Sequence, residues 1–184
     1  AESGLVVILH CDLDIPFQKV DAEPTYLTQM RDLLLRHPDA TIIWAHTALG
    51  RVVRPTGARA SAGPAQRSPR HVDMLERALT HEQVPNLYFD ISWDETAKYV
   101  VSSPEAVRLM ADLINRFPDR FLFGTDAVAP KDQESYLAVY SQYEPLWQAL
   151  SSEAREMVKK GNYERLFDRA RARVRAWEKT NVEP

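Results

Sequence analysis

LVVILH, residues 5–10, is an aliphatic run that stops on an imidazole. A short, continuous apolar run of this kind reads as a strand covered on both faces, as in a parallel sheet. The same design returns at residues 41–46 (TIIWAH), 86–90 (NLYFD) and 121–126 (FLFGTD). Each run ends on a histidine or an aspartate, at positions 10, 46, 90 and 126, in nearly even steps. Each step is the length of one strand-plus-helix unit, and polar groups at the carboxyl ends of successive parallel strands are where (β/α) folds place their chemistry.

Helical periodicity fills the intervals. Leu27, Met30, Leu34 and Leu35 mark a helix over 24–36 closed by Pro38, and Val72, Leu75 and Leu79 mark another over about 71–82. Ser102-Ser103-Pro104-Glu105 offers a capping hydroxyl, an early proline and a first-turn carboxylate to a helix that Pro118 stops. Beyond Asp126 the sequence predicts helices near 132–149, 153–160 and 163–178, with Gly161-Asn162 as a stop and restart between the last two. Residues 51–70, rich in Gly, Pro, Ser and Arg, lack periodicity and read as a long loop. It follows the second strand and is expected to act as a mobile lid over His46, with Arg51 nearest the site.

Alternating strands and helices imply a parallel sheet. A complete barrel takes about 250 residues and eight such units. This chain of 184 residues shows four strands and extra terminal helices, the size of half a barrel. The opening Ala1-Glu2-Ser3-Gly4 resembles the end of a helix and its terminal glycine, as if the protein were entered midway. The expectation is therefore one partial domain over 1–184.

Hydrophobic residues make up 45% and charged residues 27%, with a formal net charge of −3, so there is no bulk electrostatic case for nucleic acid or an anionic membrane. No apolar run approaches the roughly 20 residues of a spanning helix. A soluble protein is expected, the cytoplasm being favoured and export left open. The single cysteine, Cys11, permits no internal disulfide.

His10 is placed to ligate a metal with Asp12 orienting it, or else is a core histidine satisfied by backbone. Around His46 the small residues Ala45, Thr47, Ala48 and Gly50 leave room for a substrate or water, and an imidazole suits general acid–base work. The alternative is a strand-end histidine bonded to a neighbouring loop. Asp126 needs a partner because a bare buried carboxylate is too costly; metal ligation and helix capping both supply one. Asp90 and Trp93 provide an orienting acid and an apolar wall, or simple packing. Arg51 is the loop arginine suited to gripping a substrate carboxylate or phosphate.

VVILHCD, AHTALGR, RFLFGTDA and VKKGNYERLF together resemble the amidohydrolase superfamily, and more narrowly the amidohydrolase-related branch that includes aminocarboxymuconate-semialdehyde decarboxylase and related lactonases. The resemblance implies the carboxyl-terminal half of a TIM (β/α)8 barrel, strands five to eight as four βα units, plus carboxyl-terminal helices. It implies a divalent metal, zinc above all, held by His10 and Asp126, with Asp126 also shuttling a proton and His46 acting on substrate or water or holding a second metal. Asn162 is structural in this scheme. The family's strand-one His-x-His pair does not occur in this sequence.

The function implied is hydrolysis of an amide, lactone or cyclic carboxylate by metal-activated water, with His46 and Asp126 as catalytic residues and Arg51 and Trp93 binding the substrate. Two alternatives accompany it: a decarboxylase (a lyase) of the same branch, and a non-catalytic half-barrel for binding or assembly that lacks a complete metal site. Two unpaired sheet edges lead to the expectation of a partner, either the missing amino-terminal half of the same protein or a second copy, and of an isolated stretch that is inactive.

Overall fold

The computed structural model describes residues 3–13, 24–49, 71–80 and 84–182. Arg51 and the loop at 51–70 lie outside the described residues. Four strands, β1 (Val6–Leu9), β2 (Thr41–Trp44), β3 (Leu87–Asp90) and β4 (Phe121–Leu122), form one sheet in the order β1-β2-β3-β4. All three pairings are parallel, Val6 standing opposite Thr41, Ile43 opposite Tyr88 and Phe89 opposite Phe121. The expected α/β architecture with a parallel sheet is therefore present.

The helices are α1 (Thr25–Arg36), α2 (His71–Thr80), α3 (Asp94–Val100), α4 (Pro104–Arg116), α5 (Gln133–Gln142), α6 (Glu144–Ala149), α7 (Ser152–Glu156) and α8 (Asn162–Asn181). α4 forms where its start signal stands. Ser103 Oγ accepts the Ala106 N–H at 3.1 Å, Pro104 opens the first turn, and Ala106, Met110, Ala111, Leu113 and Ile114 are buried along one face.

β2, β3 and β4 bury both faces, as continuous apolar runs require, whereas β1 leaves Val7 and Ile8 exposed. One face carries Ile42, Trp44, Leu87, Phe89 and Phe121 into the main core, together with Met30 and Leu34 of α1, Val72 and Leu75 of α2 and Leu113 and Ile114 of α4. Each such side chain contributes roughly 1.5–3 kcal/mol by leaving water. The other face gathers Ile43, Tyr88 and Leu122 against Leu166 of α8.

α8 crosses the amino ends of the strands. Asn162 Nδ2 donates to the carbonyls of Pro118 and Phe121 at 2.7 and 2.8 Å, and Arg165 Nη2 donates to Asp119 O at 2.7 Å. Further along, Arg173 lies against Gly4, where a Cβ would stand 2.7 Å from the Arg173 Cβ. Gly4 also has φ +74°, so glycine is demanded there twice over. With α8 across the amino ends, the carboxyl ends carry the polar strand termini.

Four sequence expectations are corrected. α3 was not foreseen: seven residues give too little periodicity, yet Thr96, Ala97 and Val100 are buried. The helix expected over 132–149 breaks at Tyr143, because Pro145 has no N–H to continue the ladder. Gly161-Asn162 is not a stop and restart. The chain passes through a π-helical turn, Met157–Gly161, with Gly161 at φ −57°, directly into α8. The widened turn leaves the Val158 carbonyl free to accept the Phe123 N–H at 3.1 Å. Finally, β2 ends at Trp44, so His46 belongs to the turn that follows it.

Candidate functional site

Six non-glycine residues among those described have positive φ: His46 (55°), Thr47 (51°), Ala48 (58°), Trp93 (86°), Asp126 (47°) and Ala129 (48°). All six lie on the connections that leave the carboxyl ends of β2, β3 and β4. Left-handed backbone costs a non-glycine residue roughly 1–3 kcal/mol, and such strain persists where the surroundings fix it. Here the strain gathers at one end of the sheet, with His46 and Asp126 among the strained residues.

Hydrogen bonds hold these turns. The His46 carbonyl accepts from Thr47 Oγ1 at 2.6 Å and from the Leu49 N–H at 2.9 Å. The Thr47 carbonyl accepts from His71 Nε2 at 2.7 Å, and the Ala48 carbonyl accepts from the Leu13 N–H at 2.8 Å. His71 opens α2 and is fully buried, and among the described residues its Nδ1 has no partner. Burial drives its pKa down to about 4, against the opposing bond to the Thr47 carbonyl, so the ring is neutral. Trp93 is fixed likewise: its carbonyl accepts from Tyr143 Oη at 2.8 Å. Burial, aided by the charges of Asp90 and Asp94, pushes the Tyr143 phenol up and keeps it protonated as a donor.

His46 sits at the centre of the cluster. Its side chain is only 9% exposed, and Asp126 Oδ2 lies 3.7 Å from its Nε2. The His10 ring stands edge-on to it at 4.9 Å and the Trp93 ring tilts over it at 5.1 Å, centre to centre. Its Nδ1 pairs with Ser92 Oγ at 3.1 Å. Asp90 reaches the cluster through Ser92, accepting the Ser92 N–H on Oδ1 at 2.6 Å.

His10 is more open, with its side chain 59% exposed and Nε2 3.3 Å from Asp12 Oδ1. Beside it, Trp44 Nε1 donates to the Cys11 carbonyl at 2.8 Å, tying the end of β1 to β2. Burial raises the Cys11 thiol pKa, so it is a poor candidate for a reactive thiolate. The structure thus brings His10, Asp12, His46, Asp90, Trp93 and Asp126 to one end of the sheet.

The sequence reading missed Ser92, His71 and Tyr143. Only Ser92 left a local trace: in Asp-x-Ser the carboxylate can take the N–H two residues on, and it does. His71 and Tyr143 bond backbone far from them in sequence, and no motif marks them.

The donors present are of the type a divalent ion takes, imidazole and carboxylate. Yet among the described residues no group of three or more His, Cys, Asp or Glu side chains is disposed to hold an ion. A catalytic zinc takes three protein ligands. The described residues by themselves therefore do not make up such a centre.

Strand-end histidines and an aspartate on a parallel α/β sheet define a protein whose chemistry would lie at the carboxyl face. The family model for amidohydrolases matches residues 1–169, and the chain belongs to the amidohydrolase family. No curated protein matches it. Among solved structures it is similar to an amidohydrolase from Burkholderia multivorans crystallised with bound zinc, at 17% identity and a TM-score of 0.48, over 77% of this chain and 49% of that one. A second crystal form, of an amidohydrolase from the same organism with bound HEPES, matches with the same figures. The chain spans about half the length of these structures. No helix among the described residues is long and apolar enough to cross a membrane.

Proposed function

We propose that this chain is the carboxyl-terminal half of a metal-dependent hydrolase barrel of the amidohydrolase-related branch, one partial domain whose site is completed by the amino-terminal half of the same protein. The observation that carries the reading is the approach of His10 and Asp126 to His46 at the carboxyl end of one parallel sheet, in a chain of this family. His10 and Asp126 are two of the ligands to a divalent ion, zinc by preference. When bound, such an ion polarises a carbonyl and acidifies water. Asp126, 44% exposed, is open to take a proton from an approaching water, and His46 faces the same space. Trp93 walls the site on its apolar side.

The substrates are small amides, lactones or cyclic carboxylates. The sheet edges support the missing half. Among the described residues β1 pairs on one side only, and Leu5, Val7 and Ile8 around it are all exposed, at 59%, 40% and 56%. A row of apolar side chains beside unpaired backbone is a surface a partner covers.

The test uses the full-length protein and a panel of lactones, amides and cyclic carboxylates, with the evolution of CO2 monitored in parallel. Hydrolysis should fall at least tenfold on chelation and return with zinc. His10→Ala and Asp126→Ala should each lower metal affinity by about 10–100-fold or more. Unchanged metal content in both variants would refute the ligand assignment. Decarboxylation without hydrolysis would replace the reaction.

A further inference from the structure

The Ser92 hydroxyl has one proton to place and is buried, with the residue 4% exposed. Among the described residues the acceptor in reach is His46 Nδ1, at 3.1 Å. A buried hydroxyl without an acceptor is costly, so the hydroxyl donates and Nδ1 offers its lone pair. A neutral imidazole then carries its proton on Nε2. The other side of the ring agrees: Asp126 Oδ2 stands 3.7 Å from Nε2, too far for a hydrogen bond but close enough for its charge to favour a proton there. Ser92 is held in turn, because Asp90 Oδ1 takes its N–H at 2.6 Å.

We infer that Ser92, clamped by Asp90, is a positioning residue that fixes His46 as the Nε2–H tautomer and presents that proton to the mouth of the site. The consequence for catalysis rests on the functional reading above. With its lone pair turned to Ser92 and a hydrogen on Nε2, His46 is not a ligand to a second metal ion. It is a hydrogen-bond donor, suited to an oxygen of the substrate on which negative charge grows. Asp126 is left as the proton acceptor, so the two side chains hold opposite roles across a gap of 3.7 Å.

The experiment is nitrogen-15 NMR of histidine-labelled full-length protein at neutral pH after chelation, with His46→Asn to assign the His46 signals. Long-range proton–nitrogen correlations report which ring nitrogen is protonated. Wild type should show His46 protonated at Nε2. Ser92→Ala should redistribute the proton between the two nitrogens, and Ser92→Thr, which keeps the donor, should restore the wild-type pattern. In the metal-loaded protein Ser92→Ala should lower kcat about 10–100-fold with KM nearly unchanged, and Ser92→Thr should recover most of that loss. A proton on Nδ1 in the wild type, or a tautomer that Ser92→Ala leaves unmoved, would overturn the inference. If the tautomer behaves as stated but His46→Asn retains full hydrolysis, the Ser92 clamp stands and the functional reading of His46 fails.

Discussion

Single residues at the carboxyl ends of the strands carry the chemistry proposed above. His10, His46 and Asp126 were legible in the sequence because each follows an apolar run, where a polar group has few reasons to stand. Ser92 and His71 were not, because their roles are made by the fold: Ser92 meets a ring 46 positions away and His71 a carbonyl 24 positions away. His71 also makes the stability depend on pH. Its folded pKa, about 4, lies below the ordinary 6.5, so the folded state favours the neutral ring. The stabilisation is fully present above pH 6.5, falls as the pH drops from there toward 4, and is gone below that. A shift of this size corresponds to roughly 3 kcal/mol. Asparagine can donate to the Thr47 carbonyl without titrating. Urea unfolding of wild type and His71→Asn between pH 7.5 and pH 4 should therefore show the wild type losing about 2–3 kcal/mol relative to the variant. Parallel pH curves would show that the ring is not held neutral.

Elements follow the local signals where those signals are long and consistent. α1, α2 and α4 fall within a residue or two of their expected bounds, because apolar spacing, caps and prolines all point the same way. Short or interrupted elements escape such reading, as α3, the break at Tyr143 and the π-helical turn all demonstrate. The turn at Met157–Gly161 is decided by tertiary demand. It frees a carbonyl for Phe123 and delivers Asn162, fully buried, to the carbonyls of Pro118 and Phe121 on either side of the start of β4. Asn162 thus helps to set the position of β4, the strand that leads to Asp126, from the opposite end of the sheet. Asn162→Ala strands these carbonyls and should cost about 3 kcal/mol of unfolding free energy in the full-length protein, from the loss of two buried bonds. A cost below about 0.5 kcal/mol, the range of ordinary surface changes, would mean that α8 reaches its place without this anchor.

At the scale of the whole molecule, the sheet has one finished end and one unfinished pair of edges. α8 spans the amino ends from β4 to the approach to β1, whereas among the described residues β1 and β4 each pair on one side only. The carboxyl face holds two histidines and an aspartate in a cluster, and among the described residues no third ligand joins any two of them around an ion. The parallel order of the strands and the family were legible in the sequence, because apolar runs and the FGTD and GNYERLF segments are local. Any ligand from another strand would not be legible here, because it leaves no mark on these segments. If this chain holds only part of a metal centre, as proposed above, its zinc affinity depends on the rest of the protein. The most direct measurement is a zinc titration of residues 1–184 alone beside the full-length protein, each followed by calorimetry under the same buffer. The expected result is about one tightly held ion per full-length chain, a stoichiometry that a three-ligand site sets, and binding at least 100-fold weaker by residues 1–184. Equally tight, stoichiometric binding by residues 1–184 alone would contradict it.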